Sequence, residues 1–190
     1  WEKVSLLWRE KQIAYTWYYN SIGYKTNFWK VTEDALDFAL EYYNLKESYY
    51  LRENLLSFYK KLDIFPEVLD VLKSLNAKNY KCAILSNGTM EMLNNAAFGS
   101  KINNYLEAIL SAETFGLFKP NKKVYEMVLS QFSCNKKDVF FISSNGWDAA
   151  GGSAFGFSSL WINRNNLPEE KLNWKSNYTG DNLKTIFKFL

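Results

Sequence analysis

Two short apolar runs that stop on hydroxyl and amide residues constrain this chain more than any other feature. The first, at residues 81–85, ends in Ser86-Asn87-Gly88-Thr89. The second, Val139-Phe140-Phe141-Ile142, ends in Ser143-Ser144-Asn145-Gly146-Trp147-Asp148. Each run is short and bulky enough for a buried strand, and a helical pattern follows each, from about Met90 and over the small residues at 149–154. Further strand candidates lie at 108–110 and 159–162. Between them Lys119-Pro120 opens a helix with Val124, Tyr125, Val128, Leu129 and Phe132. Pro66 starts another with Val68, Leu69, Val71, Leu72 and Leu75, and a last helix is expected from about Asp181 to Leu190. Strands alternating with helices make βαβ units and a parallel sheet, so this part reads as an α/β core.

The first third differs. Residues 1–62 carry helical patterns and no strand signal, with neither Gly nor Pro in residues 1–20. Thr32 followed by Glu33 and Asp34 reads as an N-terminal cap for a helix to about Tyr43. A third helical segment is expected from Glu47 to about Leu62, with Leu51, Leu55, Phe58 and Leu62 on one face. The pattern changes at Asp63-Ile64-Phe65-Pro66, which places a helical cap at 1–63 and the α/β core at 64–190.

Composition removes several classes of function. The chain has 190 residues and no histidine, which excludes Ser-His-Asp and Cys-His catalysis and disfavours a zinc site. Acid–base work falls to Asp, Glu, Lys or Tyr. The net charge is +3 with the basic residues scattered, so no nucleic-acid footprint and no polybasic membrane tail is present, and no apolar run has the length of a membrane span. The two cysteines, Cys82 and Cys134, read as reduced thiols of a cytoplasmic protein.

The two strand ends present hydroxyls and amides without charge, where helix first turns direct backbone N–H groups at an anion. Ser86, Asn87, Ser143 and Asn145 serve either such a site or ordinary helix capping. Lys119 is held out of the following helix by Pro120 and is either a solvated lysine or a functional one; Tyr125, six residues on, packs or takes part. Asp148 is the single acid of its stretch and either caps its helix or pairs with a lysine. Magnesium phosphoryl transfer gathers several oxygen ligands, including one or two carboxylates, whereas Ser143 and Asn145 stand where such a site wants acids. The donors suit an anionic substrate without a metal. On a helix Arg9 shares a face with Leu6, Ile13 and Trp17, so it snorkels or meets an anion, with Phe28 and Trp29 available as pocket walls.

These residues bring a family into view. Trp8-Arg9, Lys11-Gln12, Tyr15-Thr16-Trp17, Thr32-Glu33-Asp34-Ala35-Leu36, AILSNG at 83–88, KPNKKVYE at 119–126, SSNGWDAAG at 143–151, FGF at 155–157 and WINR at 161–164 together resemble the type II L-2-haloacid dehalogenases of the haloacid dehalogenase superfamily. The resemblance runs over essentially the whole chain. It implies a Rossmann-like parallel-sheet core with a helical cap, and hydrolytic dehalogenation of short L-2-haloacids to 2-hydroxy acids. In that family an aspartate attacks C2, halide leaves with inversion, and water hydrolyses the aspartyl ester without metal or other cofactor. Carried over, Arg9 stabilises the departing halide with Asn87 and the Phe28 ring beside it. Ser86 binds the substrate carboxylate. Lys119 keeps the nucleophilic carboxylate ionised, and Tyr125 supports that network. Asp148 with Ser143 and Asn145 positions and activates water, and Trp147 walls the pocket. The implied partner is a small halogenated carboxylic acid. Family members are commonly dimers, and the aromatic-rich cap is compatible with a homodimer.

Two departures accompany the resemblance. The family's nucleophile lies in an Asp-x-Tyr-Gly-Thr-like segment well before the arginine, while this sequence starts eight residues before Arg9. The nucleophile segment, and with it the family's first core strand, is therefore expected to be missing from these 190 residues, which alone should be inactive. Glu10 stands where the family often carries glutamine. Two other readings follow: a truncated, non-catalytic module of the same fold that binds a small carboxylate or a partner, and a magnesium phosphatase of the superfamily.

Overall fold

The computed structural model describes residues 1–46, 49–60 and 62–190, with the side chains of all but Tyr49 and Lys60. The expected third helix of the cap therefore falls partly outside the described residues.

Helix α1 (Glu2–Ile22) ends at Gly23, whose φ of +70° is the left-handed turn a side chain would resist. Helix α2 (Phe28–Tyr42) is capped by Asn27, whose side chain accepts the Lys30 amide, and not by Thr32 as its neighbouring acids suggested. Thr32 lies one turn inside, fully buried. Helix α3 (Tyr49–Ser57) runs on as a short 3-10 turn through Lys60. Val4 and Trp8 of α1 pack with Ala35, Leu36, Ala39 and Leu40 of α2 and with Leu56 of α3. Spacings of three and four residues put these side chains on single faces, so their burial holds the three helices together.

Alternation begins after Asp63. Helix α4 (Val68–Ala77) is followed by strand β1 (Ala83–Ser86), helix α5 (Met90–Gly99) and strand β2 (Ala108–Ser111). Then come helix α6 (Lys122–Phe132), strand β3 (Phe140–Ser143), helix α7 (Gly146–Phe155), strand β4 (Ser158–Ile162) and a short strand β5 (Tyr178–Gly180). β1 pairs with β2; β3, β4 and β5 form a second sheet in that order. The second sheet is parallel throughout, with Phe140 opposite Ser158 and Leu160 opposite Tyr178. Sequence patterning missed β5, which has three residues and no buried side chain. The expected last helix is a 3-10 segment, Leu183–Lys188.

The chain packs into two units: residues 1–63 with 84–104 and 109–118, and residues 64–83 with 105–108 and 119–190. In the second unit Val71 and Leu75 of α4, Leu160 and Ile162 of β4 and Ile186 form the apolar core. The Glu67 carboxylate binds Arg164 and, at 3.2 Å, the Leu183 amide, which fixes the start of α4 to the segments after β4.

Candidate active site

The second unit builds its site at the carboxyl end of β3. Alternation along that strand buries Phe141 and Ser143 on one side. Asn145 occupies the N-cap position of α7, and Asp148 falls in the first turn of that helix, where a carboxylate meets the positive end of the helix dipole. Asp148 is only 2% exposed. Three donors converge on it. Lys119 Nζ lies 2.6 Å from Oδ2, Ser143 Oγ donates to the same oxygen at 2.9 Å, and Tyr125 OH donates to Oδ1 at 2.9 Å. Ser143 Oγ in turn accepts the Asn145 backbone N–H at 3.2 Å. The sequence placed Ser143, Asn145 and Asp148 after one strand and Lys119 and Tyr125 at the opening of a separate helix; the fold joins Lys119, Tyr125, Ser143 and Asp148 into one buried cluster. The pairing alternative for Asp148 is the one realised, and Lys119 is not a solvated lysine: its side chain is 10% exposed.

Aromatic packing holds the cluster rigid. Tyr125, fully buried, stacks on Phe155 and meets Phe141 and Phe157 edge-on, with centroids 5.6–6.2 Å away. Lys119 Nζ also sits 5.4 Å from the Phe141 ring centre. Burial, and then the Asp148 charge beside it, raise the Tyr125 phenol far above the ordinary tyrosine range, so it stays a protonated donor. The small residues of α7 find their reason here. A Cβ on Gly151 would lie 2.6 Å from Tyr125 OH, and one on Gly152 would lie 2.4 Å from Phe141 Cδ1. Trp147, half-buried, stands in the same first turn as Asp148.

The first unit carries the other candidates. Ser86 closes β1 and its Oγ accepts the Gly88 N–H at 3.1 Å, while Ser111 Oγ donates to the Gly88 carbonyl at 2.6 Å. Thr89 caps α5 by accepting the Met92 amide, so Ser86 and Asn87 are not the caps of that helix. Phe28, half-buried at the start of α2, packs its ring 6.3 Å from that of Phe118. Arg9 is exposed, as are Leu6 and Trp17. The buried stripe of α1 is instead Val4, Trp8, Gln12 and Thr16. The face assigned to Arg9 from apolar spacing is therefore the outer one, and Gln12 is the residue that sequence reasoning passed over. Arg9 NH1 donates to Gln12 Oε1 at 2.7 Å. An open cavity of about 380 Å³ also lies in this unit, lined by Trp29, Tyr59, Thr89, Glu91, Asn95 and Glu113. Of the candidate residues singled out from the sequence, Trp29 alone lines it, and its two carboxylates, Glu91 and Glu113, suit an anion poorly.

Asp148 thus sits among donors and not among further ligands, and no group of three or more His, Cys, Asp or Glu capable of holding a metal forms among the described residues. No helix of the described residues is long and apolar enough to cross a membrane. Both cysteines are free thiols.

Comparison with known proteins bears on this arrangement. The haloacid dehalogenase-like hydrolase family matches residues 20–162. (S)-2-haloacid dehalogenase 4A of Burkholderia cepacia is 38% identical over 169 residues, covering 89% of this chain and 73% of that protein. A solved L-2-haloacid dehalogenase superposes with a TM-score of 0.96 at 33% identity, over 99% of this chain and 85% of that one. The L-2-haloacid dehalogenase of Xanthobacter autotrophicus, solved with chloropropionic acid covalently bound, superposes with a TM-score of 0.79 at 30% identity, over 85% of this chain and 65% of that one. With the family match over most of the chain and these relatives in agreement, the chain belongs to the L-2-haloacid dehalogenases, hydrolases of carbon–halide bonds within the haloacid dehalogenase-like family.

Proposed function

We propose that this protein converts short L-2-haloacids to 2-hydroxy acids through an aspartyl ester, with halide as the leaving group and no metal. An aspartate oxygen forms a bond to C2 as the carbon–halide bond breaks, and the halide departs with the bonding pair. Water then adds to the ester carbonyl, the C2 oxygen leaves as the product hydroxyl, and the aspartate is regenerated. Splitting one displacement into two steps is the gain of covalent catalysis.

The observation that carries this reading is the buried Asp148 cluster. A carboxylate offers about four acceptor sites. Lys119, Ser143 and Tyr125 use three of them, which leaves room for one water. So engaged, Asp148 is a poor nucleophile and a well-held base, and the attack falls to another aspartate, that of the family's Asp-x-Tyr-Gly-Thr-like segment. The Lys119 ammonium has three N–H donors, so its bond to Asp148 is compatible with a second, nucleophilic carboxylate, whose ionised form it favours. Tyr125 stays protonated and fixes Asp148. Ser143 and Asn145 place the water, and Trp147 limits solvent. Arg9, Asn87 and Phe28 receive the halide, and Ser86 binds the substrate carboxylate. The covalent chloropropionate in the Xanthobacter autotrophicus enzyme supports the ester.

The test is Asp148→Asn in the full-length protein with L-2-chloropropionate. One chloride per protein should be released in a burst, turnover should then stall, and mass spectrometry should find the ester on an aspartate. Sustained turnover at the unsubstituted rate with no ester would remove Asp148 from water activation.

A further inference from the structure

Gln12 is a primary amide at zero exposure in the middle of an otherwise packed helix face. A buried amide costs stability unless its groups are paired. Here both ends are. Oε1 accepts from Arg9 NH1 at 2.7 Å; Nε2 donates to Thr32 Oγ1 at 2.7 Å and to Tyr59 OH at 3.2 Å. The orientation of the amide is forced from both sides. A guanidinium has no acceptor, so Oε1 must face Arg9. The Thr32 hydroxyl gives its proton to the Phe28 carbonyl at 2.7 Å, so it can only accept from Gln12. Trp8 Nε1 donates to the Thr32 carbonyl at 2.9 Å and locks that residue from a second direction. One polarised chain therefore runs from Arg9 through Gln12 and Thr32 to Phe28.

We infer that Gln12 is the positioning residue of the halide site: it holds the Arg9 guanidinium on α1 in register with Phe28 on α2. The inference rests on the halide role proposed for Arg9 and Phe28. Gln12 reaches the reacting atoms only through Arg9. An arginine on the outer face of α1 has many rotamers of similar energy, and a halide offers no directional fork to select one. A fixed acceptor at 2.7 Å selects one before the halide arrives. Thr32 extends the same constraint to the start of α2, where the Phe28 ring begins.

The test is bromide binding to the full-length protein, read as saturable, chloride-displaceable broadening of the bromine NMR line at constant ionic strength. The unsubstituted protein should show one saturable site, and Arg9→Lys should weaken it about tenfold or more, the scale of a hydrogen bond to a charged group. Gln12→Met should weaken it by a similar factor. Thr32→Val should do so as well, while Thr32→Ser, which keeps the hydroxyl, should stay within about threefold. A packing role predicts the opposite order for that pair, because valine keeps the volume of threonine and serine does not. If Arg9→Lys weakens bromide and Gln12→Met does not, the positioning role is wrong and the halide reading stands. If no saturable site exists, or Arg9→Lys leaves it intact, the halide reading fails and the inference fails with it. Should Gln12→Met not fold, equal bromide affinities for the two Thr32 variants overturn the inference.

Discussion

Lys119→Met removes one ammonium and keeps most of the stem that packs around it. Asp148 then remains 2% exposed with two hydroxyl donors and no cation. Breaking a buried ion pair from one side costs about 3–5 kcal/mol, against about 0–1 kcal/mol for a surface lysine. At this chain length each kcal/mol moves the melting temperature by roughly 2–4 °C, so the variant should melt about 6–20 °C lower at pH 8. Asp148→Asn should also destabilise, because it leaves the ammonium buried beside a neutral amide. The K119M/D148N double variant, with both charges gone, should recover at least half of the summed loss. Urea and thermal unfolding of the four proteins at pH 8 measure this directly. A Lys119→Met deficit below about 1 kcal/mol at pH 8 would refute a buried pair as the organiser of the site.

Other outcomes follow from the same geometry. Tyr125 has its phenol pKa raised by burial and by Asp148, so its contribution to stability is lost as pH climbs from about 10; the unsubstituted protein should show a negative slope there of up to about 1.4 kcal/mol per pH unit relative to Tyr125→Phe. Equal slopes in the two proteins would contradict that burial. Gly152→Ala should destabilise by about 1–3 kcal/mol in urea melts, despite the roughly 1 kcal/mol by which alanine favours a helix, because its Cβ would meet Phe141 at 2.4 Å; a neutral or stabilising result would show that the ring has room to move. In the full-length enzyme Arg9→Lys should slow chloride release more than bromide release, because the poorer leaving group depends more on charge stabilisation. An unchanged ratio of the two rates argues against a halide role for Arg9.

Much of the core was legible because its physics is local. The bulky run before Ser143 makes a strand wherever it is placed, and the small residues after Trp147 make a helix that lets Tyr125 and Phe141 come close. The family motifs then named Lys119 and Tyr125 for the nucleophilic carboxylate, and Ser143, Asn145 and Asp148 for the water. What the sequence did not carry is which lone pair each donor takes. Lys119 and Tyr125 lie 29 and 23 residues from Asp148, and only the fold decides that all three donors share one carboxylate. The helical first third of the chain was less legible for a related reason. Thr32 with two acids behind it has the composition of a cap, yet Asn27 takes that role and Thr32 is buried to receive Gln12. Apolar spacing likewise placed Arg9 on the buried face of α1. The face that is buried carries Gln12 and Thr16, whose polarity hid it from a hydrophobic pattern. β5 and the final 3-10 segment escaped because three residues and six residues carry too little periodicity to be read.

The measurement that bears most directly on the central claim is a single turnover of excess full-length protein with L-2-chloropropionate in oxygen-18 water. If an aspartyl ester forms and water attacks its carbonyl, the first 2-hydroxy acid carries the unlabelled oxygen of the protein, and the label appears in one aspartate carboxylate. If water displaces chloride at C2 directly, the product is labelled in that first turnover and the protein is not, and the ester mechanism is wrong.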